Sequence, residues 1–151
     1  MKSKSSKPVR IAIAIAKFNE RIMKSLLHCC EETLLEGKVK IHDISVLWVP
    51  GAYELPFVAN KLARSKKYDA VIGLACVIKG ETSHDIHVAT WAALGLGHVG
   101  LKTGVPILFG VLSPKTEAQA WKRAKPGPLN RGKEVAEAAL EMVRLNRAEL
   151  R

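Results

Sequence analysis

At 151 residues with 48% hydrophobic content, the chain is one domain long and holds enough apolar side chains for a core, so no second domain is expected. Its longest apolar run, around Ala70 to Ile78, falls far short of the roughly 20 residues that cross a bilayer, and no signal-peptide pattern follows the N-terminal lysines. The expectation is therefore a soluble cytoplasmic protein without a membrane partner. The formal charge of +10 would suit an anionic partner, but cations such as Arg64, Lys66, Lys67, Lys122, Arg123 and Lys125 sit at the ends of predicted helices, where they complement the dipole; with only 5% aromatic residues to stack on bases, no nucleic-acid partner is expected.

Residues 1–9 are rich in Lys and Ser and lack periodicity, so a flexible basic arm is expected ahead of a single domain over residues 10–151. Arg10 to Ala16 (RIAIAIA) is the first strand. A helix follows over Glu20 to Glu36, with Asn19 as its cap, Ile22, Leu26, Cys29 and Cys30 at helical spacing, and Gly37 as its stop. Cys29, Cys30 and Cys76 are odd in number and two are adjacent, which points to reduced, packed thiols. Ile41 to Val49 is the second strand, broken by Pro50-Gly51, and Ala52 to Ser65 is a helix with a stripe of Leu55, Val58, Ala59 and Leu62. Ala70 to Val77 (AVIGLACV) is continuously apolar, the pattern of a strand buried on both faces. Val88 to Leu101 is a helix without formal charge, and Val105 to Leu112 is the fourth strand, with Pro106 near its start. After a short helix over Thr116 to Ala124, the segment Lys125 to Leu129 is non-helical. Asn130 starts the final helix, expected to pack through Val135, Ala138, Ala139, Met142 and Val143.

Strands alternating with helices imply an α/β fold, a three-layer α/β/α arrangement around a doubly wound, four-stranded parallel sheet. Ligands of such sheets bind outside the carboxyl ends of the strands. Four segments are expected to meet there: Phe18-Asn19, Pro50 to Glu54, Val77 to His84, and Phe109 with the turn after it. Gly80 permits an unusual backbone angle, while Thr82 and Ser83 suit a helix start that leaves N–H groups outward, a ready phosphate site. His84 follows at once, and an unperturbed imidazole titrates at about pH 6.5, suited to proton transfer beside a phosphate ester. The uncharged helix demands cover on every side, and a second copy of the chain would supply it, with Gly95, Gly97 and Gly100 allowing close approach and His98 its one strongly polar group.

Phe18-Asn19, Val49 to Pro56 (VPGAYELP), Val77 to His84 (VIKGETSH), Phe109 to Leu112 (FGVL) and Asn130-Arg131-Gly132 together resemble the 6,7-dimethyl-8-ribityllumazine synthase family, in order over about Arg10 to Leu145. The resemblance implies a flavodoxin-like fold and the condensation of 5-amino-6-(D-ribitylamino)uracil with 3,4-dihydroxy-2-butanone 4-phosphate, releasing phosphate and water, with no metal and no redox cofactor. It implies that Phe18 stacks on the pyrimidine, that Ala52, Tyr53 and Glu54 bind the ribityl chain, and that Val77 and Ile78 hold the uracil edge through the main chain. Gly80, Glu81 and Thr82 would form the phosphate turn, with the Glu81 side chain turned away, and His84 would transfer protons. Phe109, Arg123 and Arg131 would come from the adjacent subunit of a homopentamer, Arg123 clamping the substrate phosphate. A metal site built from His84 and His87 is the rival reading, and a flavin- or lumazine-binding carrier or shell without catalysis is the alternative function.

Two positions depart from the family pattern. Asp85 and Ile86 stand where an aromatic and an acidic residue are usual, and Arg131 replaces a lysine, keeping the charge but changing its reach. The connection from Lys125 to Leu129 carries no insertion of the kind found in many pentamer-only members, which leaves a sixty-subunit shell open.

Overall fold

The computed structural model describes residues 6–150. Four strands, β1 (Ile11–Ala16), β2 (Ile44–Val49), β3 (Ala70–Cys76) and β4 (Ile107–Leu112), form one parallel sheet in the order β2-β1-β3-β4. Five α-helices, α1 (Glu20–Glu36), α2 (Leu55–Arg64), α3 (His84–Thr103), α4 (Glu117–Ala124) and α5 (Arg131–Ala148), cover its two faces, giving the expected three-layer arrangement.

Side-chain size separates the layers. Alternate residues of a strand point to opposite faces, and β1 alternates isoleucine with alanine. Ile11, Ile13 and Ile15 join Ile72 and Leu74 of β3 in a core closed by α1, α4 and α5. Ala12, Ala14 and Ala16 face the other way, where α2 and α3 close through Ala59, Ala63, Ala92 and Leu96. Small groups let the second pair of helices approach closely, and at Gly95 a Cβ would stand 2.5 Å from Pro56 Cγ of α2.

Several boundaries differ from the sequence pattern for local reasons. Ile41–Asp43 is a 3-10 turn, so β2 begins at Ile44; Ala52–Glu54 is another, so α2 begins at Leu55, with Pro56 in its first turn where a missing N–H costs nothing. The helix α3 starts at His84, ahead of Val88, because first-turn N–H groups face solvent and polar residues are at home there. The buried stripe of α5 is Gly132, Val135, Ala136, Ala139 and Val143, while Ala138 and Met142 are only half-buried. The glycines of α3 also divide differently: Gly95 meets Pro56 and Gly100 meets Ile107 within the chain, leaving Gly97 alone facing open space.

Residues 1–5 of the expected basic arm lie outside the described residues. Beyond them, Arg147 of α5 donates to the carbonyls of Lys7 and Pro8 at 2.6 and 3.1 Å and pairs with Asp69 at 3.0 Å, while Asp69 also accepts from the Arg10 N–H at 2.8 Å.

The link between α4 and α5 rests on Asn130, which is 1% exposed. Its Oδ1 accepts from the Lys133 N–H at 2.9 Å as the N-cap of α5, and its Nδ2 donates to the carbonyls of Ala124 at 2.7 Å and Lys125 at 3.1 Å. Asn130→Ala removes the cap and both amide bonds, while the Ala124 carbonyl keeps the Ser25 hydroxyl at 2.6 Å, so it should lower unfolding stability by about 1–2 kcal/mol, read as a fall in the urea midpoint. A midpoint unchanged from the wild type would show that the connection holds itself.

Candidate active site

A cavity of about 670 Å³ opens at the carboxyl ends of β1, β2 and β3. The sheet order explains its position: the chain runs outward from β1 to β2 and then crosses back to β3, so the loops after β1 and β3 part and leave a crevice between them. Its walls come from Ala16 and Phe18, from Pro50 to Glu54, from Ala75 to Ile78, and from Gly80, Thr82, His84, Asp85 and Val88.

Each wall is fixed by specific bonds. The Phe18 ring is 75% exposed and stands free at the rim. The 3-10 turn carrying Tyr53 is held by Trp91 of α3, whose Nε1 donates to the Tyr53 carbonyl at 3.0 Å while the two rings lie 5.5 Å apart. Gly51 leaves space for the Glu54 carboxylate, since a Cβ there would sit 3.3 Å from Oε2. The Val77 N–H donates to the Leu112 carbonyl at 2.8 Å and is taken up by the sheet, whereas the Ile78 N–H finds no protein acceptor among the described residues. Of these two donors, the Ile78 N–H is therefore the unpaired one.

The turn after β3 departs from expectation at Gly80, whose φ is not positive. A Cβ at Gly80 would meet nothing within 4 Å, so neither conformation nor packing within the chain requires glycine there. Thr82 Oγ1 accepts from the His84 N–H at 3.3 Å, and the N–H groups of Gly80 to Ser83 have no protein acceptor among the described residues. Four successive free donors leading into a 20-residue helix make an anion-favouring end.

Nine of the thirteen residues singled out from the sequence line this cavity: Phe18, Ala52, Tyr53, Glu54, Val77, Ile78, Gly80, Thr82 and His84. Glu81 lies on the turn without lining it. The other three lie apart. Phe109 is in the middle of β4, at the far edge of the sheet, instead of at the strand's end. Arg131 is beside it, its Nη2 donating to the Phe109 carbonyl at 2.8 Å and its Nη1 pairing with Glu134 at 2.9 Å. Arg123 lines a separate hollow of about 320 Å³ with Leu112, Ser113, Pro114, Gln119, Ala120 and Lys122. Among the described residues the cavity thus holds two carboxylates, Glu54 and Asp85, and an imidazole, but no lysine or arginine. Sequence reasoning passed over Cys76 and Val88 as wall residues, although their places at the end of a strand and one turn into a helix were the signal for it.

Among the described residues no three His, Cys, Asp or Glu side chains gather as metal ligands, and no helix is long and apolar enough to cross a membrane. The cysteines are free and buried. Burial pushes the Cys76 thiol in the cavity wall up to about 11 and, with Glu31 and Cys29 adding to it, the Cys30 thiol up to about 12; Cys29 is raised by burial and then by Glu32. These thiols keep their protons at neutral pH and are poor nucleophiles. Because the unfolded thiols ionise first, the stability present below the ordinary value of 9.0 is lost as pH rises from there, toward about 11 for Cys76 and about 12 for Cys30. Iodoacetamide at about pH 8 should leave all three unmodified in the native protein and alkylate them only after unfolding, as intact mass would show.

The family model of 6,7-dimethyl-8-ribityllumazine synthase matches residues 8–147 of the 151. That span takes in every strand, the whole cavity and all but the last residue of α5. The chain belongs to the 6,7-dimethyl-8-ribityllumazine synthase family.

Proposed function

We propose that this chain condenses 5-amino-6-(D-ribitylamino)uracil with 3,4-dihydroxy-2-butanone 4-phosphate to give 6,7-dimethyl-8-ribityllumazine, phosphate and water, in the cytoplasm. The observation that carries the proposal is the cavity itself, which sets an exposed ring, an unpaired main-chain donor, a carboxylate, a run of free N–H groups and an imidazole around one space. Phe18 stacks on the pyrimidine, whose edge meets the main chain of Val77 and Ile78. Ala52, Tyr53 and Glu54 take the ribityl chain. The N–H groups of Gly80, Glu81 and Thr82 bind the phosphate, and the open space at Gly80 lets it come close to the backbone. His84 follows directly and carries protons as the amine of the uracil adds to the ketone, water leaves, the phosphate is eliminated and the ring closes with loss of a second water.

An anionic substrate in a cavity with two carboxylates and no cation is short of positive charge. Arg123, which lies outside that cavity in its own chain, answers this when contributed by a neighbouring copy, together with Phe109 and Arg131. The body of α3 points the same way: Trp91, Leu94 and Leu101 are 43%, 68% and 89% exposed, and Phe57 of α2 is 68% exposed. Covering the two leucines would contribute about 1.5–3 kcal/mol each. The assembly proposed is at least a homopentamer with active sites between subunits.

Turnover of the two substrates by the purified protein is the direct test, and tight lumazine binding without product would favour a carrier instead. His84→Ala should lower kcat by about 10²- to 10⁴-fold with little change in KM. Arg123→Ala should raise KM for the butanone phosphate by about 10- to 100-fold while leaving the pyrimidine's KM nearly unchanged. Wild-type kinetics in both variants would overturn the site. Sedimentation should find a pentamer or larger, with any growth into a shell favoured by salt that screens the positive charge; a monomer at working concentration would remove the shared site.

A further inference from the structure

Asn19 occupies the N-cap position of α1, yet its side chain makes no capping hydrogen bond. Its backbone is left-handed, with φ 62° and ψ 51°, where an N-cap ordinarily lies in the extended region. Asparagine tolerates this conformation better than most residues, but glycine adopts it at no steric cost. The turn alone therefore does not call for an amide. The amide is used elsewhere: Nδ2 donates to the Cys76 carbonyl at 2.8 Å, joining the loop after β1 to the end of β3 across 57 residues of sequence.

That bond has a counterpart on the other flank. The Lys17 N–H donates to the Val49 carbonyl of β2 at 2.8 Å. Phe18 is thus bracketed between a tie to β2 and a tie to β3, and its ring, 75% exposed, has little side-chain packing to fix it. The ring's place over the cavity is set by its backbone, and its backbone by these two ties. Cys76, the acceptor, is 3% exposed and lines the same cavity.

We propose that Asn19 is a positioning residue that holds Phe18 over the cavity, trading a helix cap for a bond to β3, and so sets the affinity for the pyrimidine substrate. This rests on the function proposed above for the identity of the ligand, but not for the tie itself.

Asn19→Asp separates the roles. It keeps size and left-handed tolerance and places a negative charge at the start of α1, so a residue serving only the helix would be undisturbed or improved. A carboxylate, however, cannot donate to the Cys76 carbonyl. The expected result is a thermal midpoint no lower than the wild type's, a KM for ribitylaminouracil raised about five- to tenfold, and kcat and the KM for the butanone phosphate within about twofold. In a Phe18→Ala background the same change should shift KM by less than about twofold, because the ring it positions is gone. Asn19→Gly, which keeps the turn without the amide, should repeat the kinetic pattern. An unaltered KM in both variants, or effects of Asn19 and Phe18 that multiply independently, would overturn the proposal.

Hydrogen exchange provides the arm that does not depend on activity. Amides from Lys17 to Ile22 should exchange faster in Asn19→Asp while those of β2 and β4 do not. If the wild type makes no lumazine, the function above fails and this measurement still decides the tie; unchanged exchange over Lys17 to Ile22 would sink the tie even in an active enzyme.

Discussion

Burial of β1 and β3 on both faces is the constraint from which the other features follow. A strand covered by helices above and below has no solvent face, so every side chain along it must fit one of two layers. The alternation of isoleucine with alanine in β1 makes those layers unequal. On the isoleucine side, long side chains hold α1, α4 and α5 off the sheet. On the alanine side, α2 and α3 close down and pack on each other tightly enough for Pro56 to touch the Cα side of Gly95. The cavity opens where this thin layer meets the ends of the central strands, and its floor is made of small residues, Ala16, Ala52 and Ala75.

Depth alone does not shape a site, and the polar bonds at the strand ends show how the loops are held. Sheet hydrogen bonding continues past the strands, from Lys17 to Val49, from Val77 to Leu112 and from Lys79 to Pro114. Trp91 then holds the turn at Tyr53, and Asn19 holds the turn at Phe18. The loops are consequently tied to the sheet that bears them, the kind of support that a reaction joining two substrates, as proposed above, would call for.

The central strands, the layer order and the helix bodies were legible because they follow from period and apolar run length. Element starts were less so: α3 begins four residues before its apolar body, since Asp85 and His87 interrupt the uncharged pattern while costing nothing in a solvated first turn. Gly80 was singled out for an unusual backbone angle that it does not adopt, and it stands instead in open space. Asn19 was read as the cap of α1, whereas its amide makes no cap bond and donates to Cys76, because an N-cap and a cross-sheet donor are the same residue type at the same place. Phe109 and Arg131 needed the tertiary structure: only the edge position of β4 brings the guanidinium onto that carbonyl.

Two deficits of the single chain lie on one helix. The first turn of α3 supplies His84, Asp85 and Val88 to a cavity that has no cation, and its body presents Leu94 and Leu101 to water. A subunit docked on the body of α3 would stand beside the mouth of the cavity, so the contact that covers the leucines also brings foreign side chains to the site. Hydrophobic cover is non-directional, and by itself would accept many orientations. The charge requirement of the reaction proposed above is directional, because the guanidinium it calls for would have to arrive beside the free N–H groups after β3. In the assembly proposed above, one copy's α3 would face another's cation-bearing edge, a head-to-tail contact of the kind that repeats around a ring.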